Sequence, residues 1–264
     1  MTDYSEVEHG HDLLVRFFSN EANREAFCGT LDSCYPQLGK ESVTYFDQWS
    51  PDILVNTYIS CVSEHEDYED EHGRLSMWRA FGQQMRPRAA IVMRPPEMGA
   101  ADGLNILLSP VAYFNDKEVE QQFLAVIKNI NGNLEFLKTL GRDRLKMLLF
   151  YTLASAAVSL KHIGFSEEKE WRVIYFPQVN PSPLISSAIE AVDGIPQLIY
   201  KIPLEENPDN NVIGVGIPAL IDRIIIGPTV YPAPIYGAFV EALRQAEVPD
   251  PEKRVAFSGI PIRS

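Results

Sequence analysis

The sequence predicts an α+β protein, a single domain over residues 1–264, with a mixed or antiparallel sheet core and a central helical block. Three observations carry this. Runs rich in β-branched and aromatic residues lie on both sides of the chain's middle. Residues 115–163 carry helical periodicity. Strands and helices do not alternate as a βαβ series, and no GxGxxG or P-loop pattern occurs, so a doubly wound nucleotide fold is disfavoured.

Taken in order, "DLLVRFFSNEANREAF" places Leu13, Leu14, Phe17 and Phe18 at helical spacing and predicts an amphipathic helix. "VNTYISCVS" (Val55 to Ser63) reads as a strand. The acidic stretch "EHEDYEDEH" follows, then a short helix in "GRLSMWRAFGQQM" with Leu75, Trp78 and Phe81 inward. "AAIVMRP" is a strand stopped by Pro95-Pro96, and "LNILLSPVAYF" another. Two helices fill the central block. Asp116 is the expected cap of the first, and Asn131-Gly132-Asn133 its end. "EKEWRVIYF", "QLIYKIPL" and "DRIIIGP" read as strands, "IYGAFVEALRQA" as an amphipathic helix, and "KRVAFSGIPI" as a final strand. The Pro/Ser-rich segment Pro177 to Pro196 reads as a surface excursion or lid.

Composition narrows the function. A formal charge of −13 with scattered Lys and Arg disfavours binding to extended nucleic acid, which wants a basic face. No apolar run reaches the ~18 residues of a membrane span, and no secretory signal pattern occurs at the start. Cys28, Cys34 and Cys61 are odd in number and match no zinc spacing, which favours a reducing, cytoplasmic setting.

Among candidate sites, the acidic run from Glu64 to Glu71, with His65 and His72, lacks calcium-loop spacing and reads better as a solvated loop than as a metal site. Ser60 and Ser63 have no nucleophile-elbow context. Trp78 is either a core anchor or a ring that stacks on a ligand, and the core reading is favoured. "GFSEEKEWRVIYF" (Gly164 to Phe176) is the most informative stretch. In an extended strand Glu168, Glu170 and Arg172 share one face, with Trp171 and Val173 on the other, Trp171 reading as core. Two carboxylates so placed repel, and an arginine beside them compensates. Residue types alone favour an exposed ion pair over the floor of a polar site.

Ordered motifs shift that balance. "MTDYSEVEHG", "YISCVSEHEDYEDEHGRLSMWRAFG", "KHIGFSEEKEWRVIYF", "IDRIIIGP" and "VAFSGIPIR" together resemble the bacterial family called domain of unknown function 2971. That family carries K-x-x-x-F-x-x-E-x-E-[WY]-R. The layout also looks like an ADP-ribosyltransferase-like fold, with an aromatic-x-S-x-S-like strand and an E-x-E strand. The resemblance implies an NAD-dependent ADP-ribosyltransferase-like enzyme, with NAD or another nucleotide-like small molecule as partner. Its acceptor would be a protein, a nucleic acid or a small molecule, in a toxin or phage-defence setting. A noncatalytic binding or regulatory domain of the same family is the alternative.

On the resemblance, Glu170 stabilises the oxocarbenium-like transition state, Glu168 positions or deprotonates the acceptor, and Ser60 hydrogen-bonds near Glu170. Tyr58 or Trp78 stacks on nicotinamide, Ser63 belongs to the second element, and Arg172 pairs with a glutamate or meets a phosphate. The resemblance implies a Y-[HK]-Y-like first-strand motif before the segment that opens at Met1, and that motif is not among residues 1–264.

Overall fold

The computed structural model describes residues 4–80, 88–97, 99–192 and 194–261. Asp3, Phe81 and the closing Ile262-Arg263 lie outside them. The described residues form, in chain order, α1 (Tyr4–Ser19), α2 (Glu21–Asp32), α3 (Leu38–Asn56), β1 (Tyr58–Ser63), α4 (Leu75–Ala80), β2 (Ala89–Met93), β3 (Leu107–Pro110) and β4 (Ala112–Phe114). Next come α5 (Asp116–Gly132), α6 (Leu134–Thr139), α7 (Arg142–Ser159), β5 (Leu160–His162), β6 (Glu170–Tyr175), β7 (Ser186–Val192) and β8 (Ile195–Lys201). The series ends with α8 (Ile217–Leu220), β9 (Ile221–Ile226), α9 (Pro232–Gln245) and β10 (Val255–Phe257). The class is α+β.

The chain divides into two compact units. One comprises Met1–Ser63 and Ile106–Pro181, the other Glu64–Asn105 and Ser182–Ser264. The first unit holds a three-stranded sheet in the order β1-β6-β3, antiparallel throughout, and a parallel pair β4-β5. The second holds the sheet β10-β9-β2 and the hairpin β7-β8.

Several boundaries differ from the sequence reading, each for a local reason. The N-terminal helix is two helices because Asn20 caps α2, its side chain accepting from the backbone N–H groups of Ala22 (3.0 Å) and Asn23 (3.3 Å). A third helix, α3, runs through Pro51, a residue that normally marks a stop. Asn115, not Asp116, caps α5, and Glu118 reaches back to the Asn115 N–H at 3.0 Å in a capping box. Gly141, at φ 79°, separates α6 from α7 where one helix was expected. The expected strand "LNILLSPVAYF" is split after Pro110, which lets the chain leave one sheet and join another. The segment read as a lid contains β7, half of a hairpin that pairs Ser186 with Lys201 and Val192 with Ile195.

The core of the first unit is built by α1, α2, α3 and α7 against β6, with Leu14, Leu31, Leu38, Phe150, Val158 and Ile174 essentially fully buried. Each such side chain contributes roughly 1.5–3 kcal/mol. Close helix crossings depend on missing side chains. A Cβ on Gly10 of α1 would lie 2.2 Å from the carbonyl oxygen of Ala157 in α7, and one on Gly39 of α3 would lie 2.3 Å from the Cα of Cys28 in α2. In the second unit Ile224 and Ile226 of β9 pack on Val240 and Leu243 of α9.

Gly10→Ala is expected to destabilise the protein by about 1–3 kcal/mol, because the backbone it meets cannot yield as a side chain would. Gly29→Ala is the control, since its added Cβ meets nothing within 4 Å. Thermal melts followed by circular dichroism should show a lowered midpoint for the first variant and none for the second.

Candidate functional site

β6 sits in the middle of its sheet, and its register decides what meets what. Ser63 of β1 lies opposite Glu170, Cys61 opposite Arg172 and Ile59 opposite Ile174. From the other side, Ser109 of β3 lies opposite Arg172 and Leu107 opposite Ile174. Cross-strand partners share a face, so these residues form one surface with Glu170, Arg172 and Ile174.

On β6 that surface is buried, whereas Cys61 of the edge strand β1 is exposed. Glu170, Arg172 and Ile174 are all buried, whereas Trp171 and Val173 are half-buried. The face expected to be an exposed ion pair is therefore inside, and Trp171 is not the core residue of the strand. Arg172, at 1% exposure, is the largest fully buried side chain among the described residues.

A buried guanidinium persists only if its charge and its N–H groups are answered. Arg172 donates from Nε to Glu170 Oε1 at 2.7 Å and from Nη1 to the carbonyl of Val158. That carbonyl belongs to the last turn of α7, where orphan acceptors and the negative end of the helix dipole favour a cation. Lys161 of β5 supplies the second cation. Its Nζ lies 2.7 Å from Glu168 Oε2 and 3.1 Å from Glu170 Oε2, and 4.9 Å from the Phe165 ring centroid. Two cations and two carboxylates thus meet in one network.

The backbone around Glu170 is satisfied as carefully. Its N–H donates to the Tyr113 hydroxyl at 2.8 Å, and its carbonyl accepts from the Val111 N–H at 2.9 Å. Glu168 lies just before the strand, in a 3₁₀ turn over Ile163–Glu168. Lys169, at φ 43°, reverses the chain between them. Strand alternation therefore does not place Glu168 beside Glu170, contrary to the simple reading. The Ser63 hydroxyl donates to the Glu168 carbonyl and ties β1 to this turn.

Burial alone would push the Glu170 carboxyl up. Hydrogen bonds from Arg172, Cys61 and Lys161, with the Arg172 charge, outweigh it and hold the group at about 2. Burial, chiefly, pushes the Tyr113 phenol up, so it stays neutral beside the carboxylates. Of the two carboxylates Glu168 is the more open to solvent, its side chain 22% exposed against 7% for Glu170.

The structure brings Glu168, Glu170, Arg172 and Ser63 together. Ser60 and Tyr58 do not join them: Ser60 lies opposite Val173 and Tyr58 opposite Tyr175, on the other face of the sheet. Trp78 belongs to the second unit, where it is buried, donates its indole N–H to the His72 carbonyl at 2.8 Å and packs on Gly73 and Gly227. Part of the acidic run forms ion pairs within that unit. Glu69 is buried against Arg74 (2.6 Å), and Asp70 pairs with Arg223 (2.7 Å) and His65 (2.8 Å). Lys161, Tyr113 and Cys61 carried no site role in the sequence reading. Lys161 and Phe165 were nonetheless legible as the first two positions of the K-x-x-x-F-x-x-E-x-E pattern.

Residues 77–173 match the family model described as "Protein of unknown function (DUF2971)". This bears out the family resemblance over that segment, which includes Lys161, Glu168, Glu170 and Arg172. No match is found among curated proteins or among solved structures.

The network makes stability depend on acid. The folded Glu170 carboxyl lies below its ordinary 4.5, so its contribution is complete above about 4.5 and is lost as pH falls towards 2. That difference corresponds to roughly 3 kcal/mol at neutral pH. Glu170→Gln should lower the melting temperature at pH 7 and flatten the loss of stability between pH 5 and pH 3 relative to wild type. Melts across that range would check it.

Proposed function

We propose that the first unit carries an NAD-dependent ADP-ribosyltransferase-like site centred on Glu170. The observation that supports it is the pairing of β1 with β6, which sets Ser63 directly opposite Glu170. The serine strand and the E-x-E strand implied by the resemblance are thus neighbours sharing a face. Ser63 takes the place expected of Ser60.

In this reading the nicotinamide–ribose bond of NAD breaks with its electron pair leaving on nicotinamide, and the ribose becomes an oxocarbenium-like cation. A carboxylate held ionised down to about 2 is suited to stabilise that charge and unsuited to donate a proton. Glu168, more open to solvent, takes the proton of the acceptor as it attacks. Arg172 is 1% exposed and donates to Glu170 and to the Val158 carbonyl, so in this reading it acts through Glu170 rather than on a phosphate. A cytoplasmic toxin or phage-defence role belongs to this proposal on the family resemblance alone. Among the described residues no helix is long and apolar enough to cross a membrane.

A second reading, a noncatalytic binding or regulatory domain, is favoured by the closure of the network, with Glu170 only 7% exposed. The two separate on one assay. NAD labelled in its nicotinamide should yield free nicotinamide with the wild-type protein, and Glu170→Gln should slow release by about 100-fold or more while remaining folded by circular dichroism. A wild-type protein that neither releases nicotinamide nor binds NAD would support the noncatalytic reading.

A further inference from the structure

We infer that Lys161 is a positioning residue of the carboxylate pair, its single ammonium turning the Glu168 side chain towards Glu170. The inference rests on the proposed site for its functional meaning, and on geometry for its substance. Glu168 and Glu170 are two apart in sequence, but a 3₁₀ turn and the left-handed Lys169 separate them, so strand alternation does not align them. What joins them is Nζ of Lys161, 2.7 Å from one carboxylate and 3.1 Å from the other.

The base of that ammonium is rigid. Lys161 lies in β5 directly after α7, in parallel register with Tyr113 of β4, and is itself buried. Its tip lies over the Phe165 ring. The charged and titratable groups around it are Glu170 and Arg172 from β6, Glu168 from the turn, Tyr113 from β4 and Cys61 from β1, whose thiol hydrogen-bonds Glu170. Removing the ammonium takes away the cation that both carboxylates share. Glu168, the more exposed of the two, then gains by swinging to water.

Charge and position make opposite predictions, which lets them be told apart. Lys161→Met removes a positive charge beside the carboxylates, which strengthens their attraction for the cationic nicotinamide ring. Loss of position nevertheless disables Glu168. The expected result for nicotinamide transfer is therefore a KM unchanged or lowered and a kcat reduced by about 100-fold, with Lys161→Arg restoring most of it. A variant whose kcat is unchanged overturns the inference.

A second measurement does not need activity. A crystal structure of Lys161→Met should show the Glu168 carboxylate turned away from Glu170, and that of Lys161→Arg should show it in place. Glu168 unmoved in the Met variant overturns the positioning role. Should the Met variant not fold, Lys161→Gln, polar and uncharged, carries the same test. Wild-type protein that releases no nicotinamide sinks the proposed reaction, while the two crystal structures still decide the role of Lys161.

Discussion

The ion pair between Arg172 and Glu170 is the constraint around which the first unit is arranged. A guanidinium at 1% exposure is costly unless each of its demands is met nearby. Glu170 meets its charge, and the last turn of α7 meets a further N–H through Val158. The end of α7 is thereby fixed against β6, and Lys161, three residues beyond Val158, is delivered to the same carboxylate. Strand register, helix termination and charge balance are three views of one buried arrangement.

That arrangement also shapes what chemistry is available. Glu170 is held as an anion by partners that also enclose it, so it is a fixed negative charge rather than a proton shuttle. Glu168 shares Lys161 with it but lies in a turn and is partly open to solvent. Two carboxylates of like chemistry thus occupy an inner and an outer position. The same separation distinguishes Glu69 of the acidic run, buried on Arg74, from the more exposed Asp70 paired with Arg223.

Much of the fold was legible from local pattern. The apolar spacing of Leu13, Leu14 and Phe17 predicted a buried helical face, and these residues are buried. The strand runs around Tyr58, Ile91, Val173 and Ile224 were found with correct type. What escaped depended on partners distant in sequence. α3 was unread because Pro51 is a local stop signal that tertiary packing overrides. The split of β3 from β4 was unread because only pairing with β6 and β5 shows that the chain changes sheets. In the site, Glu168, Glu170, Arg172 and Ser63 were named from sequence. Ser60 and Tyr58 pair with Val173 and Tyr175 instead, a placement that depends on register, and register is set across the sheet.

By itself the sequence determined the α+β class, the presence of an acidic, arginine-compensated strand, and a family resemblance that the match over residues 77–173 bears out for that segment. These follow from near-neighbour spacing, which a linear reading measures directly. Only the tertiary structure decided that the charged face of β6 is buried while Trp171 and Val173 are half-buried. It alone decided that Ser63 faces Glu170, and that Lys161 joins Glu168 to it. The physical reason is that alternation along a strand defines two faces but not which one is buried. That choice is made by what packs against the sheet, here the end of α7 and a lysine that pairs with Glu170.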